Sequence, residues 1–330
     1  MAESLYDVVG IGNAIVDVLA QADDSFLIRH GLNKGTMTLI DSDRAESLYA
    51  AMGPAVEVSG GSAANTIAAI ASLGGRGAFI GKVRDDQLGA IFRHDILSLG
   101  IAFGGKPAHE GPSTGRCLII VTPDAQRTMN TFLGASSEFS VADLDATLIE
   151  KAQTTYLEGY LWDRPQAKAA FIAAAGIAHE AGRMVALSLS DPFCVDRHRD
   201  DFLSLVGNHI DILFANEDEI VSLYAEHSFD GALQKVRDHC PIAVLTRSEK
   251  GAVVAAGDEV HVIDAVPVTR VVDTTGAGDA YAAGFLWGHA RGLRLESCAR
   301  IAAVVAAEAI SHVGARPEAP LADLVRQTLG

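Results

Sequence analysis

The sequence predicts an α/β protein: a mainly parallel sheet with helices on both faces, and a smaller β-sheet beside it. Three observations carry that prediction. Short apolar runs alternate with alanine-rich stretches of helical length through most of the chain. Most runs are apolar at consecutive positions, as strands buried on both faces require. Two regions, 13–41 and 115–133, break the rhythm and read as β inserts.

Tyr6–Gly12 is the first β-rich run. Residues 13–41 lack a clear crossover helix and end in the alternating Thr36-Met37-Thr38-Leu39-Ile40. Ala63–Leu73 is rich in strong helix formers, and Ala78–Lys82 returns to strand character. Leu88–Leu99 is the next helix. Gly115–Val121 and Arg127–Leu133 flank Thr122-Pro123-Asp124-Ala125, whose Pro-Asp pair reads as a hairpin turn. Four further strands, Thr155–Glu158, Met184–Leu189, Ile212–Ala215 and Ile242–Leu245, alternate with helices Gln166–Ala181, Glu217–Tyr224 and Ala232–Asp238. Gly278–His289 and Leu295–His312 close the series. The chain 1–330 reads as one domain, with the small sheet formed by inserts at about 13–41 and 104–134 and placed to act as a lid.

Of the 330 residues, 49% are hydrophobic, which excludes a disordered chain. There are 26 Lys and Arg against 42 Asp and Glu, a formal charge of −16. Polyanions are repelled by such a surface, so neither nucleic acid nor an anionic membrane is expected as a partner. No apolar run approaches membrane-spanning length, and Met1-Ala2-Glu3-Ser4 begins no signal-type segment. Cys117, Cys194, Cys240 and Cys298 are widely spaced, which favours free thiols in a reducing cytoplasm.

Several familiar signatures fail. Gly10-Ile-Gly12 lacks the third glycine of a dinucleotide fingerprint, where Ile15 stands. Gly81-Lys82 lacks the other residues of a Walker loop, and no H-E-x-x-H pair occurs among 11 histidines. The strongest positive signal is Asp273-Thr-Thr-Gly276-Ala277-Gly278-Asp279, running into an alanine- and glycine-rich helix. Free amides at such a helix start hold an anion. An acidic residue there has a chemical reason if Asp279 accepts a proton from an attacking hydroxyl, as phosphoryl transfer needs; a first-turn Asp favoured by the helix dipole is the alternative.

Three other segments present polar groups beside glycines or strand ends. Gly10-Ile-Gly12-Asn13 leads to Asp17, a carboxylate able to accept from a sugar diol, though the segment alone reads slightly better as a surface turn. Gly60, Gly61 and Ser62 open a helix with Asn65 in its first turn; a cap without ligand is the alternative. Asn216 and Glu219 follow an apolar run and suit a metal with its waters, or simply an acidic first turn. Thr246 and Arg247 can reach phosphates from a strand end, or form part of a plain turn.

These pieces, in this order, resemble the ribokinase-type (PfkB) family of carbohydrate and nucleoside kinases from Gly12 to Pro317. Thr114-Gly-Arg-Cys117, Tyr156-Leu-Glu-Gly159-Tyr160 and Leu187–Phe193 are most similar to the family's adenosine-kinase branch. The resemblance implies a three-layer ribokinase-like α/β/α core with a β lid, ATP as donor, Mg²⁺, and K⁺ in some relatives. It implies that Asp279 is the general base, that the amides of Gly276, Ala277 and Gly278 hold the transferring phosphoryl group, and that Arg127 reaches it from the lid. Asn13, Asp17, Gly61 and Asn65 then hold the ribose, with Gly60 and Ser62 also at the substrate. Met37, Cys117, Met129, Tyr160 and Trp162 surround the base. Asn216 and Glu219 organise Mg²⁺ through water, while Thr246, Arg247, Gly251, Thr275, Gly276 and Gly278 meet ATP. Asp273 and Thr275 match the K⁺ positions, with Gly314-Ala-Arg316-Pro317 as the closing loop. The implied reaction is ATP-dependent phosphorylation of a nucleoside 5′-hydroxyl, adenosine above all, in a cytoplasmic monomer or homodimer. A sugar kinase of the same fold, a broader purine nucleoside kinase and a silent nucleotide sensor are the alternatives.

Overall fold

A computed structural model describes residues 4–124 and 126–329. Met1, Ala2 and Glu3 of the N-terminal segment and Ala125 of the anticipated turn lie outside the described residues. In chain order the strands are β1 (Tyr6–Ile11), β2 (Ile15–Gln21), β3 (Met37–Leu39), β4 (Ala55–Gly60), β5 (Gly77–Ile80), β6 (Ala102–Gly104) and β7 (Gly115–Val121). They continue with β8 (Arg127–Phe132), β9 (Ala152–Glu158), β10 (Met184–Ser188), β11 (Ile212–Asn216), β12 (Ile242–Thr246), β13 (Ala252–Ala256) and β14 (Glu259–Ile263).

Nine strands form the main sheet in the order β14-β13-β12-β11-β10-β9-β1-β5-β6. The pairs from β12 to β6 are parallel, and β13–β14 is an antiparallel hairpin on the edge. Consecutive apolar residues serve both faces. On β1, Val8 belongs to the apolar layer that includes helices Ser62–Ser72, Ala277–His289 and Leu295–Ala309, whereas Val9 and Ile11 belong to the layer that includes Pro165–Glu180 and Arg199–His209. On β11, Ile212 and Phe214 divide from Leu213 and Ala215 in the same way. Two apolar layers therefore sandwich the sheet, as continuous hydrophobicity requires.

The second sheet has the order β3-β8-β7-β2-β4. Val16, Val18, Leu118 and Ile120 are buried on one face against Phe26, Leu27 and Leu48, from helices Asp24–Arg29 and Ser42–Ala51. The other face looks into the cleft at the C-terminal edge of the main sheet. β4 is the strand the sequence conceals: its first residues are exposed on a sheet edge, and Gly60-Gly61 reads as a turn. The β13–β14 hairpin is masked by its alanines. All four cysteines are buried and unbridged. Among the described residues, no helix is long and apolar enough to cross a membrane.

Candidate active site

The parallel strands deliver the site at their C-terminal ends, where α/β sheets place ligands. β1 leads into Asn13, β9 ends on Glu158 and leads into Tyr160, β11 ends on Asn216, and β12 on Thr246. Opposite them, helix Ala277–His289 starts from Gly276, whose φ of 76° is left-handed. A Cβ at Gly276 would also lie 2.8 Å from the Ala315 Cα, so glycine is required twice over.

Asp279 occupies the first turn of that helix. Ser62 Oγ donates to its Oδ1 at 2.6 Å, and Asn65 Nδ2 lies 3.5 Å from its Oδ2. Burial pushes the carboxyl up to about 6, against those two donors. It is thus ionised at neutral pH yet basic enough to take a proton. Ser62, expected on the substrate, holds the candidate base instead. A Cβ on Gly278 would meet open space, so the helix start faces the cleft there. The Ala277 N–H, expected on the phosphoryl group, donates to the Thr274 carbonyl at 3.2 Å. Gly276 and Gly278 are left to serve an anion.

Asp17 projects from β2 over Gly60, where a Cβ would lie 2.5 Å from its carboxyl carbon. Burial raises Asp17 to about 6, opposed by the charges of Arg316 and Arg127. Asn13 donates from Nδ2 to Glu158 Oε1 at 2.6 Å, while its buried Oδ1 has no partner among the described residues. Glu158 also accepts from the Ala63 amide at 2.8 Å, and burial lifts it to about 7. It therefore ties the Asn13 loop to the start of helix Ser62–Ser72. Sequence reasoning gave Glu158 no role; a lone carboxylate ending an apolar strand was the available signal. Gly61, at φ 101°, closes the junction.

The cleft face of the second sheet is ordered in rows. Asp17 pairs with Cys117, which faces Thr131. The next row is apolar: Leu19, Ile119, Met129 and Met37 in register. Cys117 is buried beneath the Thr131 hydroxyl, and burial pushes its thiol up to about 12, so it is inert. Tyr160, in the turn after β9, stands half-exposed, and it feels the charges of Asp191, Asp279 and Glu219.

Trp162 does not join them. Its ring lies 5.6 Å from Phe171 and 5.4 Å from Phe202, with Lys168 over it, inside the layer beyond the sheet. The 3₁₀ turn Gly159–Asp163 sends residues two apart to different sides, so Tyr160 reaches the cleft and Trp162 the core.

Arg127 pairs with Asp273 rather than reaching freely into the cleft. Asp273 Oδ1 accepts from the Thr275 amide (2.9 Å) and hydroxyl (2.6 Å), and Oδ2 from the Gly314 amide (3.0 Å) and Arg127. Burial alone would raise Asp273, but these donors and the Arg127 charge outweigh it and hold the carboxyl at about 2. A carboxylate offers about four acceptor positions, and here all are taken. The expected K⁺ positions at Asp273 and Thr275 therefore do not fit a cation: Arg127 supplies the positive charge.

On the nucleotide side, Asn216 and Glu219 form a reciprocal capping box: Asn216 Nδ2 donates to Glu219 Oε1 at 2.7 Å, and the Glu219 amide to Asn216 Oδ1 at 2.8 Å. Burial raises Glu219 to about 7. With its oxygens engaged, this pair fits Mg²⁺ through water rather than directly. Thr246 joins Asn216 and Asp218 in lining an open polar cleft. Arg247 is committed to Glu217 at 3.1 Å and to the Phe229 ring at 4.0 Å, not left free for phosphate. Gly251, expected at ATP, approaches backbone instead: a Cβ there would sit 2.0 Å from the Ile263 carbonyl oxygen.

The sequence profile of the pfkB family carbohydrate kinases matches residues 38–322. The chain belongs to the PfkB family. Its fold is the ribokinase-like α/β fold, and its chemistry is phosphoryl transfer to a hydroxyl group. An adenosine kinase from Sinorhizobium meliloti is 51% identical, with a TM-score of 0.89 over 98% of this chain and 99% of that one. A probable sugar kinase from Rhizobium etli CFN 42 is 46% identical, with a TM-score of 0.90 over 98% of both chains. The adenosine kinase of Saccharomyces cerevisiae is 26% identical across 93% of this chain and 95% of its own. PfkB-family relatives of this chain thus carry both nucleoside-kinase and sugar-kinase names, and small molecules are the substrates.

Proposed function

We propose that this PfkB-family enzyme transfers the γ-phosphoryl group of ATP to the 5′-hydroxyl of a nucleoside, with adenosine the substrate. The observation that carries the reading is the apolar row Leu19–Ile119–Met129–Met37, one step along the sheet from Asp17. A free sugar bound at Asp17 and Asn13 leaves that row bare; a nucleobase covers it. The 51% identity to an adenosine kinase supports the same reading.

Asp17 and Asn65 hold the ribose hydroxyls, and the free Oδ1 of Asn13 takes one more. The 5′-hydroxyl then lies at Asp279. As its oxygen attacks the γ-phosphorus, Asp279 takes the proton and the bond to the bridging oxygen breaks, releasing ADP. The Gly276 and Gly278 amides receive the charge developing on the phosphoryl oxygens. Asn216 and Glu219 would hold Mg²⁺ through water, and the ion would supply neutralisation of the phosphates. The second sheet acts as the lid that excludes water, and Arg127 ties that lid to Asp273 of the core. A cytoplasmic enzyme of nucleoside salvage fits the buried, unbridged cysteines.

A second reading has its own support. With Trp162 in the core, the aromatic wall is reduced to Tyr160, and one near relative is described as a probable sugar kinase. The test is ATP-dependent phosphorylation of adenosine, inosine, guanosine, cytidine, ribose and fructose with Mg²⁺. Turnover of adenosine and none of ribose or fructose is the expected result. Turnover confined to a free sugar refutes the base subsite and leaves the phosphotransfer chemistry standing.

A further inference from the structure

Arg316 lies in the loop after helix Leu295–Ala309 and has no part in the chemistry above. Its enclosed guanidinium makes three contacts. Nη2 donates to Ser59 Oγ at 2.7 Å, Nη1 lies 3.3 Å from Asp95 Oδ2, and Nε lies 3.4 Å from Asn65 Oδ1. Asp95 also accepts from the Ser59 amide at 2.8 Å and from the Ser59 hydroxyl. One cation therefore joins four segments: the end of β4, helix Ser62–Ser72, helix Gln87–Ser98 and its own loop.

The contact with Asn65 has a direction. A guanidinium carries donors and no acceptor, so it can face only the carbonyl end of an amide. That leaves the Asn65 NH₂ pointing at Asp279 Oδ2. A flipped amide would set NH₂ against guanidinium and carbonyl against carboxylate, repulsive at both ends. The Asp17 carboxyl lies over Gly60, the residue after the Ser59 that Arg316 grips, and the Arg316 charge is the larger of two opposing the effect of burial there. The charged and titratable groups around Asp17 are Arg316 from the loop, Arg127 from β8, Cys117 from β7 and Asp279 from helix Ala277–His289.

We propose that Arg316 is a positioning residue for phosphotransfer, turning the Asn65 amide toward Asp279 and supplying the counter-charge of Asp17. This rests on the roles given above to Asp17, Asn65 and Asp279, and adds the group that orders them. Lysine cannot replace it fully, because a single ammonium does not span three acceptors in one plane.

The test compares wild type with Arg316→Met, Arg316→Lys and Ser59→Ala, on the acceptor the wild type phosphorylates fastest. Arg316→Met is expected to lower kcat/KM for the acceptor by about 10²-fold, with KM for ATP unchanged. The Asp17 carboxyl, followed by carbon-13 NMR in the unliganded protein, is expected to titrate at higher pH in Arg316→Met. Arg316→Lys restores that titration but only part of kcat/KM. Ser59→Ala, which removes one contact and no charge, leaves Asp17 unmoved and lies between. The proposal is overturned if Arg316→Met keeps wild-type kcat/KM and Asp17 titration. It is equally overturned if Met and Lys lose activity alike with Asp17 unmoved, since that marks a merely structural role. If Arg316→Met does not fold, Arg316→Lys and Ser59→Ala decide. A wild type that phosphorylates only a sugar sinks the nucleoside reading, while the Arg316 comparison proceeds on that sugar.

Discussion

The two halves of the cleft hold their charges in opposite ways. Around Asp279, one carboxyl (Glu158) is buried and two (Asp17 and Asp279) are half-buried, and desolvation shifts all three upward, to about 6 for Asp17, 7 for Glu158 and 6 for Asp279. Glu158 and Asp279 are held by donors from distant segments, and Asp17 is opposed by the charges of Arg316 and Arg127. Around Thr246 the charges are open to solvent and neutralise one another locally, as Arg247 and Lys250 do with Glu217. The acceptor half is thus cross-linked and expensive to ionise, and the donor half is wet and forgiving. A site that must place one hydroxyl against one base needs the first kind of construction. A site that grips a flexible triphosphate through water and metal can use the second.

That contrast is most sharply tested at the base. Asp279→Asn keeps the size and the Ser62 contact but cannot take a proton, so kcat should fall by about 10²–10⁴ with nucleoside affinity largely retained. Near-normal turnover in that variant removes Asp279 from its role. Trp162→Ala separates core from cleft: it should cost about 3–5 kcal/mol in urea denaturation and leave KM for the nucleoside unchanged. A raised nucleoside KM with little loss of stability would return Trp162 to the pocket.

The desolvated carboxyls also set a pH profile. Below about 6, Asp279 and Asp17 gain protons, so log(kcat/KM) should fall with unit slope or steeper as the pH drops. The stability of the unliganded protein should run the other way. These carboxyls titrate higher when folded than when unfolded, so the folded state binds more protons across that interval. Their contribution is therefore full near pH 4 and is lost as the pH rises toward 7. Chemical denaturation at pH 5 and pH 7 on Glu158→Gln, which removes one titration, shows whether the slope shrinks.

Effects on the donor side should be smaller. Arg247→Ala breaks a partly exposed ion pair and a cation–π contact, together worth about 1 kcal/mol, so KM for ATP should rise only a few-fold. Smallest of all, replacing K⁺ with choline should change turnover by no more than about twofold, because every acceptor position on Asp273 is filled. Strong K⁺ activation would show that Arg127 leaves Asp273 before catalysis.

Which parts the sequence disclosed follows from how far apart the cooperating residues lie. Continuous apolar runs marked β1, β9, β10, β11 and β12, because burial on both faces leaves a local trace. Asp279 was legible for the same reason, its glycines and carboxylate being neighbours in the chain. Glu158 meets Asn13 across 145 positions and Arg316 meets Asn65 across 251, and no local pattern records such a meeting. Trp162 shows the converse error, since adjacency to Tyr160 in sequence says nothing about which side of a 3₁₀ turn a ring takes. β4 was hidden because an edge strand needs little apolar character and its end looks like a turn.

β4 passes into helix Ser62–Ser72 through Gly61 alone. Ser62, which grips the candidate base, is therefore a short lever arm on the end of a strand of the second sheet. On the proposed reading that sheet swings, and each swing tugs the grip. An ajar enzyme then holds its base unaimed until the strand settles, since Ser62 fixes where the Asp279 carboxylate points.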